Sequence, residues 1–163
     1  MKYLIIGHGR HGKDTLADLF RTQAGLKCKS SSEFACEKIV YPTLKKKYGY
    51  SSPTECWKDR ITKRKEWYAL ISSYNTPEKW RLPYELLKEN DVYVGLRSRE
   101  ELFAAKERHL FDLIIWVDAS ERLPLEKKES FDVLKTDADI IIENNRTEEE
   151  FIHKATRLIR LIK

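Results

Sequence analysis

The chain has 163 residues, a net charge of +5, 41% hydrophobic and 35% charged residues, and a mean hydropathy of −0.60. Those figures fit one domain with a real core and exclude a membrane-spanning chain, and 18 aromatics with abundant Leu, Ile and Val argue against disorder. Three cysteines, Cys28, Cys36 and Cys56, lack C-x-x-C spacing, so neither a disulfide framework nor a zinc site is expected, and a reducing cytoplasm is the expected compartment. Met1 to Ile6 is too short for a signal peptide.

In chain order, Tyr3 to Ile6 reads as an apolar strand ending at Gly7. A helix from about Gly12 to Gly25 follows, with Leu16, Leu19 and Phe20 at helical spacing. Leu26 to Lys29 reads as a short strand. Ser30-x-x-Glu33 is a capping box opening a helix through Phe34, Ala35 and Ile39 that Pro42 interrupts. Ser52-Pro53-Thr54-Glu55 starts a long helix to about Tyr74, with Trp57, Ile61, Tyr68 and Ile71 on one face. Thr76-Pro77-Glu78 opens a helical piece that Pro83 bends or ends. Asp91 to Gly95 returns to a strand, and Ser98-x-x-Glu101 caps the helix after it. Leu113 to Val117 and Ile140 to Ile142 are strands, and Thr147-x-x-Glu150 caps a last amphipathic helix. Apolar strands between capped helices predict an α/β protein with a parallel sheet covered on both faces.

Half of the six glycines fall in Gly7-His8-Gly9-Arg10-His11-Gly12-Lys13-Asp14-Thr15, between the first strand and the first helix. This is G-x-x-x-x-G-K followed by Asp14 where Ser or Thr is usual, with Thr15 one place on. Glycines let successive backbone N–H groups face a phosphate, and the helix start adds partial positive charge. The cradle comprises Gly7, Gly9, Arg10, His11, Gly12, Lys13, Asp14 and Thr15. Lys13 is the cation for the β- and γ-phosphates of ATP, and Asp14, Thr15 and Asp118 are candidate Mg²⁺ ligands. The side chains of His8 and His11 read as solvent-facing fillers rather than a metal pair.

G-K-D-T after an N-terminal strand, followed by a basic helical insertion, resembles the deoxynucleoside monophosphate kinases of bacteriophages, including the related 5-hydroxymethyluracil DNA kinases. The ending Ala138-Asp139-Ile140-Ile141-Ile142-Glu143-Asn144-Asn145, with Thr147 and Glu150, is similar to the last strand and helix of P-loop nucleotide kinases, dephospho-coenzyme A kinases among them. The resemblance implies a single kinase domain over 1–163 with a five-stranded parallel sheet, a helical acceptor-binding insertion at about 41–90, a short lid at about 119–138, and ATP with Mg²⁺. Three places depart from that pattern. Val94-Gly95-Leu96-Arg97 keeps the acceptor arginine and lacks the acid usual before it, which leaves Asp118 or Asp14 as the alternative carboxylate. The lid carries one arginine, Arg122, beside Lys127, Lys128 and Lys135. Asp14 replaces the usual hydroxyl.

The acceptor is either a phosphate, which needs arginines, or a hydroxyl, which benefits from a base. Arg97 and Arg99 suit the first; Glu33, with Ser32 beside it, suits the second, although a capping box accounts for Glu33 equally. Residues 41–84 hold ten Lys/Arg against four Asp/Glu, a net of +6, and nine of the 18 aromatics. Arg60, Arg64 and Trp67 are the candidate contacts there, since bases stack on aromatics while cations follow phosphates. The alternative is a helical subdomain with aromatics inside and cations solvated. The expected activity is transfer of the γ-phosphate of ATP to a (deoxy)nucleoside monophosphate, with a hydroxymethylated base in DNA as the alternative acceptor and a non-catalytic nucleotide switch as a third reading.

Overall fold

A computed structural model describes residues 1–162 of the chain. Strand β1 (Tyr3–Ile6) is buried at all four residues because it is the middle strand of five. The others are β2 (Cys28–Ser30), β3 (Val92–Val94), β4 (Leu113–Asp118) and β5 (Ile140–Glu143), all parallel, in the order β2-β3-β1-β4-β5. Alternation sends successive side chains to opposite faces. Tyr3, Ile5, Ile115 and Val117 meet α1 (Lys13–Ala24) and α8 (Glu148–Ile162) through Leu16, Phe20, Phe151 and Ile159. Leu4, Ile6, Tyr93 and Trp116 face the other layer. That layer holds α2 (Ser31–Ala35), α3 (Tyr41–Tyr48), α4 (Pro53–Lys58), α5 (Arg64–Tyr74), α6 (Arg81–Glu89) and α7 (Arg99–Glu107).

The expected α/β architecture is the observed one, and the capping signals act where the sequence places them. Ser30 Oγ accepts from the Glu33 N–H at 3.2 Å and the Glu33 carboxylate accepts from the Ser30 N–H at 3.4 Å. Ser52, Ser98 and Thr147 cap their helices through the N–H three residues on.

Four local expectations change. Pro42 does not interrupt the second helical run, because a π-turn at Cys36–Val40 widens the backbone just before it and the run continues into α3. The β2 strand begins at Cys28, two residues later than expected. The long helix from Pro53 breaks after Lys58: Asp59 takes hydrogen bonds from the Thr62 and Tyr50 hydroxyls, and a 3₁₀ turn at Asp59–Ile61 resets the helical phase. Trp67 therefore points inward at 6% exposure while Ile61 and Tyr68 stand 67% and 75% exposed. Pro83 neither bends nor ends α6, since it lies in the first turn, where no backbone N–H needs an intrahelical acceptor.

Candidate functional site

The glycine loop runs from the end of β1 into α1, at the carboxyl end of the parallel strands, where this class of sheet binds ligands. Two of its glycines are required by close approach. A Cβ on Gly7 (φ +141) would lie 2.4 Å from the Val117 carbonyl oxygen, and one on Gly12 (φ +107) 2.6 Å from the Asn144 side-chain nitrogen. The Asn144 amide donates to the His11 carbonyl at 2.9 Å and so fixes the loop from the β5–α8 connection. Lys13 Nζ donates to the His8 carbonyl at 2.6 Å. Burial pushes its ammonium down to about 8, and the neighbouring Arg97 charge adds to that. Arg10 is exposed in the left-handed region at φ 64, Asp14 is exposed in the first turn of α1, and Thr15 is half-buried.

The histidines are a correction. His11 is fully buried and His8 is 9% exposed, so neither faces solvent. His11 Nδ1 accepts from the Ala119 N–H at 3.0 Å, and its Nε2 lies 3.4 Å from the Pro124 carbonyl. His8 Nδ1 accepts from the Glu126 N–H at 3.1 Å, with its ring against Phe131 and Trp116. Both rings therefore clamp the segment after β4 onto the glycine loop. Accepting at Nδ1 requires neutral imidazoles carrying the proton on Nε2. Burial lowers the pKa of both.

Arg97, just past β3, donates to Glu126 Oε1 at 2.6 Å, and the other oxygen of that carboxylate accepts from the Gly9 N–H at 2.7 Å. Burial works to raise the Glu126 pKa, but the Arg97 pairing and the Gly9 N–H hold it below the usual range. Arg97 thus reaches the donor loop. Arg99 does not: its guanidinium makes a two-pronged pair with Asp137 at 2.9 Å on each arm, which anchors the end of the 119–138 segment to α7.

Asp118 ends β4 with its carboxylate 4% exposed as a residue, paired to Lys135 at 2.5 Å and accepting from the Ser120 N–H. Burial works to raise its pKa, and those partners hold it down. A cation at Asp118 has to compete with Lys135. Arg122 Nε donates to the Asn144 carbonyl at 2.5 Å and stays with the β5–α8 connection.

Past β2, Glu33 lines a recess of about 210 Å³ with Lys29, Cys36, Thr54 and Trp57. Ser32 lies beside it, 3.4 Å from Ser30 Oγ. Arg60 stacks on the Trp57 ring at 3.5 Å. Arg64 is exposed. Trp67 is a second correction: its ring belongs to the core cluster, and no face is left for a base to stack on.

Sequence reasoning passed over Glu126 and named Asn144 and Lys135 without the contacts they make, to the His11 carbonyl and to Asp118. Glu126 opens Glu-Lys-Lys-Glu, which reads as a solvated charge run, and only the pair of histidines in the loop hinted that something would pack there.

No family model matches the chain, and no curated protein matches it in sequence. In structure the chain is similar to the shikimate kinase of Aquifex aeolicus VF5, with 17% identity, a TM-score of 0.56, and 99% of this chain and 96% of that one covered. It is also similar to the dephospho-CoA kinase of Campylobacter jejuni, with 15% identity, a TM-score of 0.57, and 99% and 98% covered. With a parallel sheet ordered β2-β3-β1-β4-β5 and a glycine loop after β1, the chain has the fold of the P-loop kinases.

Proposed function

We propose that the chain is an ATP-dependent phosphotransferase that moves the γ-phosphate to a nucleotide acceptor, a (deoxy)nucleoside monophosphate. The observation that carries this reading is the convergence of the Gly9 N–H and the Arg97 guanidinium on one anionic group. An anion position shared by the donor loop and the arginine past β3 is what transfer between two bound phosphates needs. The likeness to two small-molecule kinases supports the class of reaction by fold analogy alone.

In this reading the loop N–H groups orient the triphosphate and Lys13 neutralises its outer phosphates. Lys13 is poised for that work, because a partly desolvated ammonium gains most from an arriving anion. Arg97 draws in the acceptor phosphate, which is already an anion and needs no base. Gly95 in place of a strand-end acid is consistent with such an acceptor. The recess beside Glu33 and Trp57, with Arg60 stacked on the Trp57 ring, takes the acceptor nucleoside. The residues present fit Mg²⁺ at Asp14 and Thr15, at the start of α1 beside Lys13; when bound it supplies charge neutralisation between the phosphates.

A second reading rests on its own observation. Arg64, Lys65 and Tyr68 are exposed together on α5, in a stretch of net +6, which suits docking on DNA and transfer to a hydroxylated base, with Glu33 as the base. Incubation with γ-labelled ATP and a panel of acceptors separates the readings. Label on a nucleoside monophosphate is the expected result. Label only on hydroxymethyluracil-containing duplex moves the acceptor to DNA, and ATP bound but never consumed leaves a nucleotide-binding switch.

A further inference from the structure

Glu126 sits where the reading above places a phosphate. Its carboxylate spans the Gly9 N–H of the donor loop (2.7 Å) and the Arg97 guanidinium (2.6 Å), and its own N–H is held by His8 Nδ1 (3.1 Å). The segment carrying it is pinned on either side: Ala119 and Pro124 meet His11, and Arg97 also reaches the Ser130 carbonyl at 3.4 Å. The Glu126 side chain is 24% exposed and the Arg97 side chain 52%, so the Gly9 bond is the better shielded from water of the two.

We propose that Glu126 is an internal stand-in for the transferring phosphoryl group and thereby sets the preference of the site among nucleotides. The proposal rests on the phosphotransferase reading and names a residue that reading does not use. Carboxylate and phosphate oxygens are alike to these two donors, since both are anionic acceptors of charge-assisted hydrogen bonds. Two anions cannot share the position, because they would need the same two donors and like charges at hydrogen-bond spacing repel. Whatever phosphate reaches both Gly9 and Arg97 must displace Glu126.

Which phosphate that is follows from the layout. Gly12 leads into α1, from whose start Lys13 reaches the outer phosphates, while Gly9 lies on the opposite arm of the loop, and Arg97 comes from past β3 on the acceptor side. The phosphate nearest the acceptor arginine is the terminal one of a triphosphate. ATP therefore has to evict Glu126, whereas ADP ends before the contested position and binds with the carboxylate in place. The carboxylate also keeps Arg97 extended toward the loop, so the arginine is already in position when the phosphoryl group takes over.

The competition taxes ATP binding by the fraction of molecules in which Glu126 has left. Glu126→Gln keeps the shape and loses the charge that holds Arg97. Glu126→Asp keeps the charge and is too short to bridge both donors. Calorimetric titration of the full chain with a non-hydrolysable ATP analogue and, separately, with ADP tests the idea. Both variants should bind the analogue about 5- to 10-fold more tightly than wild type, a coupling of ordinary size, and ADP within about twofold of wild type. Unchanged or weaker analogue binding in both variants overturns the proposal, as does an equal gain for ADP. Lys13→Ala separates this from failure of the underlying reading: loss of nucleotide binding in Lys13→Ala with no effect at Glu126 leaves the donor site standing and removes the stand-in. Binding of neither nucleotide by any form removes both.

Discussion

The helical lobe of residues 41–90 and the connection of residues 119–138 make opposite impressions by composition and by contact. The lobe concentrates charge and aromatic rings, yet much of that material is spent within the lobe itself. Lys45 lies over Tyr41, Lys63 over Tyr48, Arg60 over Trp57 and Arg81 over Tyr74, and Lys47 pairs with Glu66. Tyr41, Tyr48, Tyr50, Trp57 and Tyr74 lean on the core. The connection after β4 looks ordinary in sequence, yet it meets the glycine loop through Ala119, Pro124, Glu126 and Phe131. Charge density marks where a surface is polar; placement at the carboxyl end of the strands marks where chemistry gathers.

The largest effect expected from the contrast is at the donor loop. Lys13→Ala should lower phosphoryl transfer by on the order of 10²–10³-fold, since under the proposed function it removes the half-buried cation that faces the developing charge. The melting midpoint should hardly move. Steady-state rates with circular dichroism melts check both parts, and unchanged turnover would remove the donor-site assignment.

In the lobe the large effect should be on folding. Trp67→Ala should cost about 3–5 kcal/mol of stability, because it empties a buried site. Trp67→Phe should cost much less, since the indole N–H has no hydrogen-bond partner to lose. Denaturant unfolding measures the difference. Similar costs for the two would show that Trp67 is held by its N–H and not by packing.

How much of this was legible in the sequence depends on the range of the signal. The loop, the caps at Ser30, Ser52, Ser98 and Thr147, and the apolar strands rest on residues within a few positions of one another, so spacing alone displayed them. The phase of α5 was hidden because Asp59 breaks the helix with side-chain bonds, which periodicity does not see. Glu126 was hidden for another reason. Its partners are 117 and 29 residues away, and nothing in Glu126-Lys127-Lys128-Glu129 distinguishes a loop-binding carboxylate from a solvated one. Arg97 and Arg99 looked equivalent in sequence, and only the pairing of Arg99 with Asp137 divides their roles.

A smaller effect should come from pH, again through the connection. His8 and His11 are buried neutral, with lowered pKa values caused first by burial. The unfolded chain therefore takes up protons near about 6.5 while the folded chain does not. Their contribution is present above that pH and is lost as the pH falls toward the lowered folded values. Glu101 runs the other way, because burial raises it to about 7, so its ionisation weakens the fold as pH rises between its unfolded and folded values. The two are separated with a His8→Asn/His11→Asn variant, which keeps an acceptor near each Nδ1 position and cannot charge. Its melting midpoint should fall less than that of wild type between pH 7.5 and 5; equal falls would take the histidines out of the clamp.

The smallest stability effect belongs to the exposed face of α5. Arg64→Ala and Tyr68→Ala should each change stability by no more than about 0.5 kcal/mol, as for other solvent-facing positions. That neutrality makes the pair a clean probe of what the lobe is for. If the lobe docks on a phosphate backbone, the double variant should weaken binding to duplex DNA and flatten its salt dependence, since each phosphate-bound cation contributes nearly one unit to the slope. If the lobe holds a single nucleotide, DNA binding should be weak, non-specific and indifferent to Tyr68, and the acceptor KM should be indifferent as well, because Tyr68 does not line the recess beside Glu33 and Trp57. Six of the eleven lysines and arginines of residues 41–90 lie over rings of the lobe itself, which leaves Lys46, Lys58, Arg64, Lys65 and Lys79 for a polyanion, and the proposed nucleotide acceptor calls for the second outcome.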